Sequence, residues 1–159
     1  TGARDTTRGL DTAGMELRLV NPADWIDAIR SLLADNWAET GFDFELAPDV
    51  ARYGALHDAG ALFALAALDG DEVVGYCTAV VGAHLFNPAV LVASHDALFV
   101  ARKWRGGTVA ARLIAAAEAE AKRRGASRFC WHTRAGTGMA AMLERRGYRP
   151  ADVVVFKEI

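Results

Sequence analysis

"LFVARKWRGGTVAARLIAAAEAEAKRRG", residues 98 to 125, decides how the rest of the chain is read. An apolar, strand-like run ends in a basic turn with two adjacent glycines, and the turn opens a long alanine-rich helix. The first N–H groups of a helix have no intrahelical partner, and the helix dipole favours negative charge beside them, so such a turn suits an anion. Gly106 and Gly107 permit close backbone approach, while Arg102, Lys103 and Arg105 add charge. The same residues also suit a tight strand-to-helix turn with a solvated basic face. The turn alone leaves both readings open.

Outward from the turn, hydrophobic periodicity places the other elements. Residues 15 to 20, MELRLV, alternate as a strand does. Pro22 and Asp24 open a helix carrying Trp25, Ile26, Ile29, Leu32 and Leu33 at helical spacing. A second helix is predicted from about Pro48 to His57, ended by Gly60. Residues 61 to 68 and 72 to 81 read as a hairpin around Asp69-Gly70-Asp71. Residues 82 to 90 read as a loop and 91 to 100 as a strand. The long helix is expected over 108 to 124, a strand over 127 to 133, a helix over 139 to 146 and a last strand over 152 to 158. This order, β-α-α-β-β-β-α-β-α-β, predicts an α/β fold: a mixed sheet of about six strands flanked by four helices. The strand–helix–strand unit from 91 to 133 should be a parallel crossover. Residues 1 to 14 are polar and aperiodic and read as a flexible leader or tag remnant, with a single domain over 15 to 159.

Composition narrows the function classes. A net charge of −2 gives no reason to expect nucleic acid or a membrane as partner. Cys77 and Cys130 are too few and too far apart for a disulfide framework or a metal site, and no metal is expected. No apolar run reaches the length of a membrane span, so a cytoplasmic protein is expected. Charge is nevertheless segregated. Residues 102 to 134 hold nine basic and two acidic side chains, whereas 35 to 49 hold Asp35, Glu39, Asp43, Glu45 and Asp49 with no Lys or Arg. A polyanionic ligand on one side and a cationic partner on the other would suit that division. The anion is neither a dinucleotide nor a P-loop nucleotide by motif. The glycines follow a late strand with the wrong spacing, and G-x-x-x-x-G-K-[ST] is absent.

"LFVARKWRGGTVAARLI" resembles the acyl-CoA-binding signature of the GNAT acetyltransferases: an apolar strand ending in Val, a basic spacer, R-G-x-G-x-G/A and a Leu-rich helix. Here the core of it reads Arg105-Gly106-Gly107-Thr108-Val109-Ala110, with Thr108 in place of one glycine. "MLERRGY", 142 to 148, is similar to the end of the family's later helix, and the resemblance covers roughly 15 to 159. It implies an acetyl-CoA-dependent N-acetyltransferase in which two parallel strands splay around the pantetheine arm. It further implies that Phe99 and Val100 main-chain groups meet the acyl and pantetheine amides. Arg102 and the backbone from Arg105 to Ala110, through Gly106, Gly107, Thr108 and Val109, would hold the pyrophosphate. The acceptor would be an amine on a small molecule or a protein.

Direct transfer from a thioester to an amine needs a base and oxyanion donors, and no covalent enzyme intermediate if both substrates are held together. Ser94-His95-Asp96 is a polar trio in an otherwise apolar strand, costly to desolvate unless it faces a cleft or finds partners. By the resemblance, Asp96 stands four positions before the strand-ending Val100, where family members often carry an acid. Asp96 is therefore the expected base and His95 the second candidate. A satisfied structural histidine is the alternative for His95. His84 and His132 are weaker candidates for the cleft. Trp37, Phe42, Phe44 and Tyr53 read either as core or as the wall of an acceptor pocket. The family's usual acid, a Tyr on the later helix, is Leu143 here, with Tyr148 as the substitute. Thr108 and Leu143 together motivate a second reading, a GNAT-fold acyl-CoA-binding module with little turnover. Only 12 residues follow Gly147, so the missing sheet edge suggests a homodimer.

Overall fold

The computed structural model describes residues 14 to 134 and 136 to 159; the predicted leader lies almost wholly outside them. One five-stranded sheet runs in the order β1-β2-β3-β4-β5, with β1 Met15–Val20, β2 Leu62–Asp69, β3 Glu72–His84, β4 Asn87–Val100 and β5 Ala126–Cys130. The first four strands pair antiparallel and β5 pairs parallel with β4. The helices are α1 Pro22–Trp25, α2 Arg30–Thr40, α3 Val50–Asp58, α4 Val109–Arg123 and α5 Gly138–Arg145. A 3-10 turn, Arg102–Trp104, joins β4 to α4.

The continuous apolar run of β2 is buried from Leu62 to Leu68 because both faces of the sheet are covered. On one face α4 presents Val109, Leu113, Ala117 and Ala121, one helical stripe, to Phe63, Val74, Cys77 and Val100. On the other, Tyr76 and Phe99 pack on Ile29, with Leu32 and Leu33 of α2 beside them. Fully burying a side chain such as Leu113 contributes about 1.5–3 kcal/mol, so the two layers supply most of the cohesion.

Three expectations are corrected. The stripe from Trp25 to Leu33 does not form one helix, since the chain breaks into turns after Trp25 and resumes as α2 at Arg30, giving five helices rather than four among the described residues. Ile26 and Ile29 are still buried, so the packing survives the break. The predicted loop 82 to 90 is mostly strand. β3 and β4 meet at a Leu85-Phe86 turn, and Pro88 is accommodated at the start of β4, where it need not interrupt a ladder. The sixth strand is absent from the described residues: 151 to 159 carry no regular structure and are exposed throughout. Its β-forming residues Val153, Val154, Val155 and Phe156 find no neighbouring strand to pair with, and propensity alone does not make a strand.

Candidate active site

The site forms where β4 and β5 part. Their ladder pairs Leu91 with Ala126 and ends at Ser94 with Cys130. Beyond it β4 continues to Val100 alone on that side. On its other side β4 stays paired to β3, but the register slips: Thr78 faces Ala97 while Ala79 faces His95. Asp96 is thus the extra residue of a β-bulge, opposite no partner.

The bulge aims the Asp96 carboxylate at the α3 side. Oδ2 accepts hydrogen bonds from the Tyr53 hydroxyl at 2.8 Å and the buried Thr78 hydroxyl at 2.9 Å. Oδ1 has no donor among the described residues. Burial, and then the charge of Asp96, raise the Tyr53 pKa well above its ordinary value, so this phenol stays a donor across the working pH range. Tyr76 lies close by, its hydroxyl accepting from Asn36 of α2 at 2.7 Å.

His95 is engaged differently. Its Nδ1 accepts the His132 backbone N–H at 3.0 Å, so the lone pair a base would use is already occupied. His132 is brought close through its main chain. His84 sits at the far end of β3, six residues and so about 20 Å from Thr78, away from the site.

Main-chain groups line the gap. The Ala101 N–H donates to the Val74 carbonyl at 2.8 Å, which makes Gly75 and Val100 a non-hydrogen-bonded pair. Alternation then turns the Phe99 main chain toward β3, and those of Leu98 and Val100 toward the gap. Of the two residues expected to present amides, Val100 turns its main chain to the gap and Phe99 turns its to β3; Leu98, which strand periodicity alone did not single out, also faces the gap. Gly75 makes this packing possible, because a Cβ there would lie 2.9 Å from the Phe99 carbonyl oxygen.

At the turn, Gly106 adopts φ +82°, a left-handed conformation that glycine tolerates best. Thr108 stands at the N-cap of α4 without a side-chain capping bond, and the first turn carries no acid. The N–H groups of Val109, Ala110 and Ala111 occupy the first three helical positions, which lack intrahelical acceptors. A pyrophosphate fits this donor set. The arginines do not converge on it. Arg102 and Arg105 each lie 3.1 Å from Glu39 of α2, and their hydrogen bonds, Arg105 foremost, hold its carboxyl below the ordinary range. Arg105 also donates to the Val100 carbonyl at 2.8 Å and covers the Phe99 ring at 5.0 Å. Lys103 pairs with Glu72.

Trp37, Phe42 and Phe44 form a ring cluster with centroids 4.9 to 5.1 Å apart. Phe42 and Phe44 are more than half exposed, so the core reading of these two fails. Arg134, which follows β5, donates to the Thr40 carbonyl at the end of α2 and so ties the far side of the gap to the helix that carries Trp37. Leu143 is buried, and Tyr148 donates to Glu118 of α4 at 2.9 Å, its pKa raised to about 12 by burial and that carboxylate. Tyr148 is thereby committed to α4.

The structure thus brings together, where the sheet splits, a bulged carboxylate, a glycine turn and the first turn of α4. The family described as "Acetyltransferase (GNAT) family" matches residues 26–148, and the chain belongs to it. Membership makes it an acetyltransferase that draws on acetyl-CoA. Solved structures share the fold. An aminoglycoside acetyltransferase from an uncultured soil metagenomic sample is 16% identical, with TM-score 0.74 over 92% of this chain and 97% of that one. Ribosomal-protein-alanine N-acetyltransferase from Brucella melitensis biovar Abortus 2308 is 18% identical, with TM-score 0.69 over 91% and 98%. A predicted acetyltransferase from Clostridium acetobutylicum, solved with acetyl-CoA, is 13% identical, with TM-score 0.73 over 91% and 96%. No curated sequence matches the chain.

Proposed function

We propose that residues 15 to 159 act as one acyl-CoA N-acyltransferase domain that acetylates a cationic primary amine by direct transfer within a ternary complex. The observation that carries this reading is Asp96, anchored through Oδ2 and open at Oδ1, at the point where the strands part. Acetyl-CoA would supply the acyl group as a thioester: the amide C–N bond forms, the C–S bond breaks, and CoA leaves as the thiolate, which takes up a proton from solvent. Asp96 Oδ1 takes a proton from the amine, and the Leu98 and Val100 N–H groups stand on the gap as donors for the carbonyl oxygen. Gly106, Gly107 and the start of α4 hold the pyrophosphate through backbone. Direct transfer is supported at Cys77, where burial, then the charge of Asp96, push the thiol pKa up to about 12, so this side chain offers no thiolate. The exposed rings of Phe42 and Phe44 beside the half-buried Trp37, in a segment without Lys or Arg, support a cationic acceptor through cation–π attraction. Aminoglycosides and a ribosomal-protein alanine, named for the structural relatives, are the first acceptors to try. Among the described residues the outer edge of β5 has no partner strand and residues 151 to 159 are exposed, which supports pairing with a second copy.

Replacing Asp96 with Asn is expected to lower kcat by about 100-fold with CoA affinity unchanged, as loss of a general base does. Thiol release measured with an amine panel checks it. Unchanged kcat removes Asp96 from the role, and CoA binding without any amine-dependent release overturns the enzyme reading.

A further inference from the structure

Where the β4–β5 ladder stops, an imidazole takes the place of the next main-chain acceptor. In a continuing parallel ladder the His132 N–H would go to a β4 carbonyl, with the strands about 4.8 Å apart. It goes instead to His95 Nδ1, at 3.0 Å, so a side chain of β4 rather than its main chain meets the backbone that follows β5. The His95 ring lies 5.2 Å from the Trp131 ring and 5.8 Å from that of His132, which fixes its plane. Directly beyond it, the Leu98 and Val100 main-chain groups are left without a partner strand.

We infer that His95 is a positioning residue: a neutral imidazole wedge that holds β5 off β4 and keeps open the slot for the acyl-CoA arm. The inference rests on the acyl-CoA reading of that gap. A backbone N–H is always the donor, so Nδ1 must carry the lone pair and the ring proton sits on Nε2. Three groups face the ring. Asp96 on β4 favours its protonation, whereas His132 disfavours it, and Trp131 covers one side. Burial first, and then His132, outweigh Asp96 and bring the pKa down to about 4. The wedge therefore stays neutral wherever the enzyme works. A titrating base at this position would need the lone pair that His132 already uses.

The test compares CoA affinity by calorimetry, steady-state kinetics and melting temperature for the wild type, His95→Asn, His95→Gln and His95→Leu. Asn places a polar atom near the Nδ1 position, whereas Gln places one nearer Nε2. Leu is expected to raise the CoA Kd about tenfold, a loss of about 1.4 kcal/mol. The kcat at saturating CoA and the amine KM should change less than about threefold. Asn is expected to restore the Kd and Gln to leave it weak. Imidazole nitrogen shifts in the wild type should report the Nε2–H form unchanged from pH 5.5 to 9. Wild-type CoA affinity in the Leu variant, or an Asn variant no better than Gln, overturns the wedge. So does a kcat that collapses in Asn with Kd intact, because that is the signature of a base. If Leu does not fold, the Asn–Gln contrast decides alone. Failure of the wild type to bind CoA overturns the acyl-CoA reading, and the wedge with it, and is distinguished by needing no variant.

Discussion

Two hydroxyls converge on one oxygen of Asp96, and that asymmetry is the main residue-scale feature of the site. A hydrogen bond to a charged group contributes about 1.5–3 kcal/mol, enough to fix the rotamer of an otherwise exposed carboxylate. Tyr53→Phe and Thr78→Val are each expected to lower kcat roughly tenfold with the CoA KM unmoved, and Thr78→Ser to restore it. Full activity in the double variant would mean that Asp96 needs no anchor. The residue scale is also where sequence reading was weakest. The resemblance singled out Asp96 by its place in the strand, but no periodicity connects Thr78 or Tyr53 to it. They lie 18 and 43 positions away and meet only through the sheet and α3.

Among the elements, the β4-to-α4 junction is where the proposed pyrophosphate cradle lies. Its glycines differ in purpose. A side chain at Gly106 would meet no atom within 4 Å, so the restriction there is φ +82° alone. Gly106→Val should re-route the turn and abolish measurable CoA binding, while the melting temperature, set by the core beneath, falls only modestly. Retained affinity would refute the cradle. Gly75 is constrained by space instead. Gly75→Ala drives a methyl into the Phe99 carbonyl and should cost about 1–3 kcal/mol in denaturant unfolding, because β3 and β4 must separate. The arginines of the turn were expected on the phosphates and are found on Glu39. Net basic charge in a segment does not say which anion each guanidinium meets, and a carboxylate on α2 reaches two of them.

For the whole molecule, stability should follow pH through His95. Its folded pKa is about 4 and its ordinary value is 6.5, so between these limits the unfolded chain binds more protons. Stability from this group is complete above pH 6.5 and falls as the pH drops toward 4. His95→Asn should flatten that part of the curve, and an unchanged slope would show that another group sets it. The exposed tail adds little to the fold. Truncation after Arg149 is expected to shift the melting temperature by roughly 2 °C or less, since no buried area is lost. Sedimentation of the truncated and full chains tests whether the tail holds two copies together, and identical behaviour would leave it no part in a dimer.

The sequence by itself determined β1, the β2–β3 hairpin, the β4–turn–α4 junction and the parallel strand that follows. Each is written in local periodicity and in glycines at turns, which neighbours along the chain suffice to read. Only the tertiary structure decided the break between α1 and α2, the absence of a sixth strand, and which main-chain groups face the gap. It also decided that His95 serves a backbone N–H while Asp96 stays open. These depend on register, on a one-residue bulge and on contacts between distant segments. A shift of one residue along a strand reverses every side chain and every amide while leaving the composition untouched.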